Sequence, residues 1–382
     1  MKIEVSKVDL ESALSVSGLT VGSGTDLSSH YLFRRVDAGV EVLAYDMRTF
    51  SGIPLKCNVE GDEPFTVEAW RLDKWLSGVA DGVLTITSDT SGEVTAKGTK
   101  GRIRLRSLDP SKFPYWDRLY SEAKSDGSIA PTTLLRAINV SKCFVSSDDT
   151  TKPEICQIEA INGTLWSTDR RALSHVRVAM PELNVRLPGK DVYTLLCFLS
   201  LKDTLLSDVE VLTSERSASE GGGACALFRR ADGGYVGITR PTVAFPKLDV
   251  NPDNQDAASF TLDLSDFKAA ISILSASAPK NHDTVRFRYV DGRVLASMPS
   301  DAGGDDDYPL TVKGEIVNGD VFGGDGFTVR HQYIKSIADS FDVAELKLGV
   351  NTRGKGGFIG VRHTDAEESG GTDYFVVLVW KN

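Results

Sequence analysis

The feature that most constrains this chain is a strand, a tight turn and a second strand that together occur three times. Residues 35–46 read Arg-Val-Asp-Ala-Gly-Val-Glu-Val-Leu-Ala-Tyr-Asp, residues 158–169 read Ile-Glu-Ala-Ile-Asn-Gly-Thr-Leu-Trp-Ser-Thr-Asp, and residues 288–299 read Arg-Tyr-Val-Asp-Gly-Arg-Val-Leu-Ala-Ser-Met-Pro. Each copy joins two apolar runs through a glycine-containing turn (Asp37-Ala38-Gly39, Asn162-Gly163, Asp291-Gly292), the chemistry of a β-hairpin. Upstream of each lies helical spacing: Leu10 with Ala13 and Leu14, Leu134 with Ala137 and Ile138, Phe267 with Ala270 and Ile271. The helical markers recur 124 and then 133 residues apart, the hairpins 123 and then 130. Two markers that move together define a repeated unit.

A second helical pattern follows each hairpin, with Leu72, Trp75 and Leu76, then Val192, Leu195 and Leu196, then Ile334, Ile337 and Ala338. Lys112-Phe113-Pro114 and Ala244-Phe245-Pro246 close the first two copies before polar connectors at residues 121–128 and 248–257. The expected domains are therefore 1–123, 124–252 and 253–382. Each holds about 127 of the 382 residues, enough to bury its own core. Two helices and several strands per copy make the fold class α+β, with the helices packed on β-sheets, and the 35 glycines suit a turn-rich chain.

Five dispersed cysteines (Cys57, Cys143, Cys156, Cys197, Cys225) form no Cys-x-x-Cys pair, so neither a disulfide framework nor a zinc site is expected. The charged N-terminus is unlike a signal peptide, and the best apolar run, at 192–201, is too short to cross a bilayer. A cytoplasmic protein with no membrane partner is the expectation.

Catalytic signals are weak. His30, His175, His282, His331 and His363 lack metal-ligand spacing, and Gly354-Lys355-Gly356-Gly357 lacks the phosphate-loop frame. Asp148-Asp149 and Asp305-Asp306-Asp307 could hold a hard cation, although adjacent loop acids are usually solvated. No nucleophile has a base at a recognisable spacing. The chain reads as a non-enzyme without a cofactor.

Charge is distributed unevenly. The chain carries −10, yet the six candidate helices (6–16, 67–78, 132–145, 189–200, 263–273 and 330–339) together carry +1, leaving −11 for the remainder. Arg71, Lys74, Arg136, Lys142, Lys190, Lys268, Arg330 and Lys335 would meet phosphates if the helices shared one surface. Each alone also reads as an ordinary surface cation. In the first copy, Arg102-Ile103-Arg104-Leu105-Arg106 alternates with period two, placing the arginines on one face and the apolar pair on the other. In the third, residues 301–307 read as an acidic loop. A row of cations at one end and of acids at the other suits head-to-tail association, although isolated charge runs are more often simply solvated.

Taken in order, the three α+β copies, the Phe-Pro closures, Thr168-Asp169-Arg170-Arg171-Ala172-Leu173, Val185-Arg186-Leu187-Pro188-Gly189-Lys190 and the terminal Tyr374-Phe375-Val376-Val377 resemble the bacterial-type DNA sliding clamp, the β subunit of the replicative polymerase. The resemblance covers essentially the whole chain. It implies a head-to-tail homodimeric ring whose helices line a channel around double-stranded DNA, held without sequence preference. It sets Ile103 against Ile273 and Leu274 at the subunit junction, with Arg102, Arg104 and Arg106 meeting Asp305, Asp306 and Asp307, and Leu105 on the same strand. It also implies a groove that takes a short peptide from the DNA polymerase and the clamp loader, lined by Pro153, Thr168, Arg170, Arg171, Leu173, Pro246, Val250, Phe375, Val377 and Val379. Arg170-Arg171 stands where the family usually has Gly-His, and Val377-Leu378-Val379-Trp380 where it has Met-Pro-Met-Arg, departures that fit a divergent, phage-encoded member. From the residues alone, two other classes stay open: a β-rich structural repeat protein, and a hydrolase using Asp148 or Asp305.

Overall fold

The computed structural model describes residues 1–37, 39–89, 92–114, 122–214, 224–248, 258–280, 283–300, 303–319, 326–341, 343–353, 356–363 and 373–379; within 351–363 and 373–379, side chains are described only at Val361 and Val376. The chain forms two compact units. The first joins Met1–Thr132 to Lys190–Arg240, and the second joins Thr133–Gly189 to Pro241–Asn382. The middle third of the sequence is thus shared between them.

Six α-helices are present among the described residues: α1 (Lys7–Ser17), α2 (Ala69–Gly78), α3 (Pro131–Lys142), α4 (Val192–Leu199), α5 (Leu264–Ser277) and α6 (His331–Ser340). Each lies where the apolar spacing predicts it. Ser6 caps α1 by accepting the Asp9 N–H, and Asp263 caps α5 by accepting the Asp266 N–H. The buried stripe of α5 is Phe267, Ala270, Ile271 and Leu274, a spacing that turns one face to the sheet.

The strand order repeats three times. One four-stranded meander runs Thr49–Leu55, Gly39–Tyr45, His30–Val36, Phe65–Glu68; the next Ala172–Arg177, Thr164–Thr168, Gln157–Ile161, Arg186–Pro188; the third Asp305–Leu310, Arg293–Pro299, Thr284–Val290, Phe327–Arg330. A second set pairs the strand preceding each first helix with three later strands. It reads Lys2–Ser6, Val83–Ser88, Val94–Lys97, Arg102–Leu105 in the first copy and Lys124–Ile129, Val209–Ser214, Cys225–Arg229, Tyr235–Thr239 in the second. The third copy supplies Ala258–Asp263, Glu345–Arg353, Gly356–His363 and Asp373–Val379. The fold is α+β, built from repeats, as the hairpins predict.

Two hairpin turns have the conformation their residues favour. Asn162 and Gly163 lie at φ 50° and 75°, and Asp291 and Gly292 at φ 50° and 77°, the left-handed pair that lets a two-residue turn follow the strand twist. Sheets are welded across copies within each unit. In the first unit Tyr235–Thr239 pairs antiparallel with Thr49–Leu55, and Tyr45, Phe50, Phe113, Leu227 and Tyr235 share one core beneath them. In the second unit Asp373–Val379 pairs antiparallel with Ala172–Arg177.

Two expectations are corrected. Residues 124–128 are no connector but most of the strand Lys124–Ile129, which finds backbone partners on Val209–Ser214 through a bulge between Ser125 and Gly127. The acids Asp305, Asp306 and Asp307 open a strand rather than a loop, because Arg293–Pro299 supplies a ladder and Arg286 and Arg288 pair with Asp305 and Asp307. Of the connector at 248–257, residues 249–257 lie outside the described residues, as do Asp301 and Ala302.

Candidate functional site

The predicted cations sit on the helices or at their ends. Arg71 and Lys74 are exposed on α2, Lys142 on α3, Lys268 on α5 and Lys335 on α6, while Arg136 and Arg330 are half-buried. Lys190 is exposed in the turn before α4 rather than within the helix, and Arg330 occupies the N-cap position of α6. Several are oriented by neighbours: Arg71 Nε lies 3.0 Å from Glu68, Lys142 Nζ donates to Asn139 at 2.7 Å, and Lys268 Nζ donates to the Phe341 carbonyl at 3.3 Å. Within the first unit α1 packs against α2 and α4; within the second, α5 packs against α6. Two aromatic residues on these helices that the sequence analysis does not single out are exposed: Trp70 keeps 56% of its surface and Tyr193 63%. Both follow directly from the helical period, since each lies opposite its helix's buried stripe.

The two charge rows occupy sheet edges. Arg102–Leu105 ends the five-stranded sheet of the first unit, with Val94–Lys97 as its neighbour. Its alternation is as predicted: Arg102 and Arg104 are exposed, Ile103 is half-buried and Leu105 buried, and Arg106 continues exposed beyond the strand. Arg104 Nε approaches Glu93 at 3.1 Å. Asp305–Leu310 ends the four-stranded sheet of the second unit. Arg288 donates to Asp307 at 2.7 Å, and Arg286 lies 3.8 Å from Asp305. The Ser297 hydroxyl and the Arg288 guanidinium together hold the Asp307 carboxyl below the usual carboxylate range.

Helix α5 stands against that edge strand, with Asp266 accepting from the Tyr308 hydroxyl at 3.1 Å and from the Thr311 N–H at 2.7 Å. Here the expected junction pair divides. Ile273 is 56% exposed, whereas Leu274 is 1% exposed and belongs to the core. Leu274 lies seven residues after Phe267, which returns it to the buried stripe, so it is withdrawn from the junction.

The residues expected to line a groove belong to the second unit. Thr168 Oγ1 donates to the Ala172 carbonyl at 2.7 Å and accepts the Arg170 N–H at 3.0 Å, closing a tight turn. That turn holds Arg170 at φ 74°, a left-handed conformation that costs a side-chain-bearing residue about 1–2 kcal/mol. A glycine at this position would take it freely. Arg170 Nη2 donates to Glu154 at 2.8 Å, carrying the guanidinium toward the Pro153–Ile155 turn. Arg171 is exposed, as is Pro153, and Pro246 is half-buried. Leu173, buried, packs with Trp166 and Leu248. The Gln157 amide donates to the Val243 carbonyl at 3.0 Å, tying down the segment that carries Leu248. Tyr333 donates to Asp169; burial, then that carboxylate, pushes its hydroxyl up to about 12. In the backbone, His175 pairs with Phe375, Leu173 with Val377 and Phe358 with Val379. The side chains of Phe375, Val377 and Val379 and the whole of Val250 lie outside the described residues.

Among the described residues no cluster of three or more His, Cys, Asp or Glu is arranged to hold a metal, and no helix is long and apolar enough to cross a membrane. Among the described residues none of the five cysteines forms a disulfide.

A threefold repeat of two helices on paired four-stranded sheets, welded edge to edge between copies, is the fold of DNA sliding clamps. The DNA polymerase sliding clamp of Bacillus subtilis superposes with a TM-score of 0.76 at 18% identity, over 100% of this chain and 99% of that one. The DNA polymerase III β subunit of Thermotoga maritima gives 0.76 at 12% identity, over 100% and 99%. That of Pseudomonas aeruginosa gives 0.73 at 14% identity, over 100% of both chains. No protein-family model matches the sequence, and no curated protein does.

Proposed function

We propose that this chain is a DNA sliding clamp: a processivity factor, not an enzyme, two copies of which close head to tail around duplex DNA and tether a replicative polymerase. The observation that carries the reading is the threefold strand order across the whole chain, ending in two open sheet edges of opposite charge. The domains in this reading are 1–123, 124–252 and 253–382. The helices hold the least acidic part of a chain of net charge −10, so their cations track phosphates while the acidic remainder repels DNA. Such a hold is topological and needs no base contact.

The clamp loader and polymerase dock through a short peptide at the Leu173 turn, where Arg170 and Arg171 bias the site toward acidic peptides. Ile103 and Ile273 supply the apolar contact at the junction. The protein works in the cytosol of a bacterium, or of an infected host if it is phage-encoded.

Light scattering over a concentration and salt series tests the ring. A salt-sensitive species of about twice 41.4 kDa is expected, and after loading onto circular DNA it is released when the circle is linearised. A strict monomer at every concentration, or retention indifferent to linearisation, would refute the clamp and favour a structural repeat protein.

A further inference from the structure

One turn occurs in two copies with different side chains at its left-handed position. In the second copy Arg170 stands at φ 74°, and the Asp169 carboxylate accepts the N–H groups of Arg171 at 2.9 Å and Ala172 at 2.8 Å. In the first copy Met47 stands at φ 73°, and the Asp46 carboxylate accepts those of Arg48 at 3.0 Å and Thr49 at 2.6 Å. Each aspartate N–H then donates across the turn, Asp169 to the Ala172 carbonyl and Asp46 to that of Thr49. The aspartate therefore sets the turn, and the left-handed residue is distinguished by its side chain alone. Met47 leaves 74% of its surface open to solvent, whereas Arg170 Nη2 donates to Glu154 Oε1 at 2.8 Å.

Glu154 is held for this contact from its own side. The Pro153–Ile155 turn buries Ile155, and the Gln157 amide donates both to the Glu154 carbonyl at 3.1 Å and to the Val243 carbonyl at 3.0 Å. The Glu154 side chain keeps 26% exposure against 57% for Arg170. The carboxylate is thus the fixed member of the pair, and the guanidinium is the long, movable one. Three residues past Arg170, Leu173 packs with Trp166 and Leu248, so an apolar surface begins where the charge ends. The pair is joined through one N–H of the five that a guanidinium offers. A carboxylate that met two of them side by side would be the better acceptor.

We infer that Glu154 is a competitor built into the peptide-docking site. It occupies Arg170 while the site is empty and yields it to a peptide that carries a carboxylate beside an apolar side chain. The inference rests on the peptide-docking reading and adds to it the residue that regulates the site. A neutral peptide leaves the pair in place and gains nothing from Arg170. An acidic one exchanges one carboxylate for another, and the displaced Glu154 then stands, largely shielded from water, close to the incoming charge. Glu154 therefore lowers the affinity for acidic peptides, and only one that holds Arg170 better than Glu154 does overcomes it.

The test uses the full-length chain and two fluorescein-labelled peptides read by anisotropy, one with two aspartates ahead of a Leu-Phe pair and one with asparagines in their place. Glu154→Gln keeps the size of the side chain and removes its charge. It is expected to bind the acidic peptide about 2–5-fold more tightly, the scale of an exposed ion pair, and the neutral peptide as the parent does. With Arg170→Gly also present the gain is expected to vanish, because the two residues act as one pair. A gain that persists without Arg170 would show that Glu154 repels the peptide at a distance, and an equal gain for both peptides would show that it merely obstructs. Either result overturns the inference, as does an unchanged affinity of Glu154→Gln for the acidic peptide. A parent chain that binds neither peptide, yet is retained on circular DNA after loading, would overturn the docking reading itself.

Discussion

Adjacent residues on α5 should respond to substitution in opposite ways. Leu274 is 1% exposed and completes a stripe with Phe267, Ala270 and Ile271. The helix is pinned at its start by the Asp263 cap and by the two bonds that Asp266 accepts, so it has little freedom to slide into a cavity. Leu274→Ala should therefore cost about 2–5 kcal/mol, toward the upper part of that range. Ile273, 56% exposed, should tolerate Asp within about 0.5 kcal/mol in the dissociated chain. At the proposed junction the same change loses about half of the roughly 1.5–3 kcal/mol that burying an isoleucine contributes, and it desolvates a carboxylate. Two such contacts per ring correspond to a dissociation constant raised by at least about 100-fold, at 1.4 kcal/mol per factor of ten. Urea unfolding followed by circular dichroism at high dilution reads the first quantity, and sedimentation or light scattering reads the second. A midpoint for Ile273→Asp that falls as far as that for Leu274→Ala would refute the assignment of faces, and a dimer unaffected by Ile273→Asp would remove this residue from the junction.

Tyr333 gives a pH dependence whose sign is fixed. Its folded-state pKa is raised from 10.0 to about 12, so the stability it contributes is complete below pH 10 and is lost as pH rises toward 12. The loss amounts to roughly 3 kcal/mol, and Tyr333→Phe should flatten that limb of a stability-against-pH curve; an unaltered limb would show that Tyr333 is not responsible. Gly163→Ala should destabilise by at least about 2 kcal/mol in a thermal melt, since the new Cβ would stand 2.6 Å from the Met180 carbonyl oxygen at φ 75°. Arg170→Gly should leave stability within about 1 kcal/mol, because relief of the left-handed backbone offsets the lost Glu154 pair and the added chain entropy. The same variant should weaken binding of acidic peptides measured by fluorescence anisotropy, and tighter binding would show that Arg170 obstructs the site rather than contributing charge.

Local chemistry fixed what could be read along the chain. A two-residue Asn-Gly or Asp-Gly turn and an apolar stripe at helical spacing depend on neighbours within a few residues, so the hairpins, the six helices and their threefold repetition are legible without coordinates. The inward face of Leu274 was legible too, since it lies seven residues after Phe267 on the same stripe. Pairing between distant strands was not legible. Three consecutive aspartates have poor strand propensity, and Asp305–Leu310 is extended only because Arg293–Pro299 supplies its ladder and Arg286 and Arg288, reaching across from Thr284–Val290, meet its charge. Residues 124–128 carry no apolar alternation, yet they form a strand because Val209–Ser214 offers an open edge. The largest decision was also non-local. The middle third of the sequence is divided between two units because each of its sheets continues into the sheet of a neighbouring copy, and backbone hydrogen bonds at a sheet edge are satisfied by whichever strand the tertiary structure brings there.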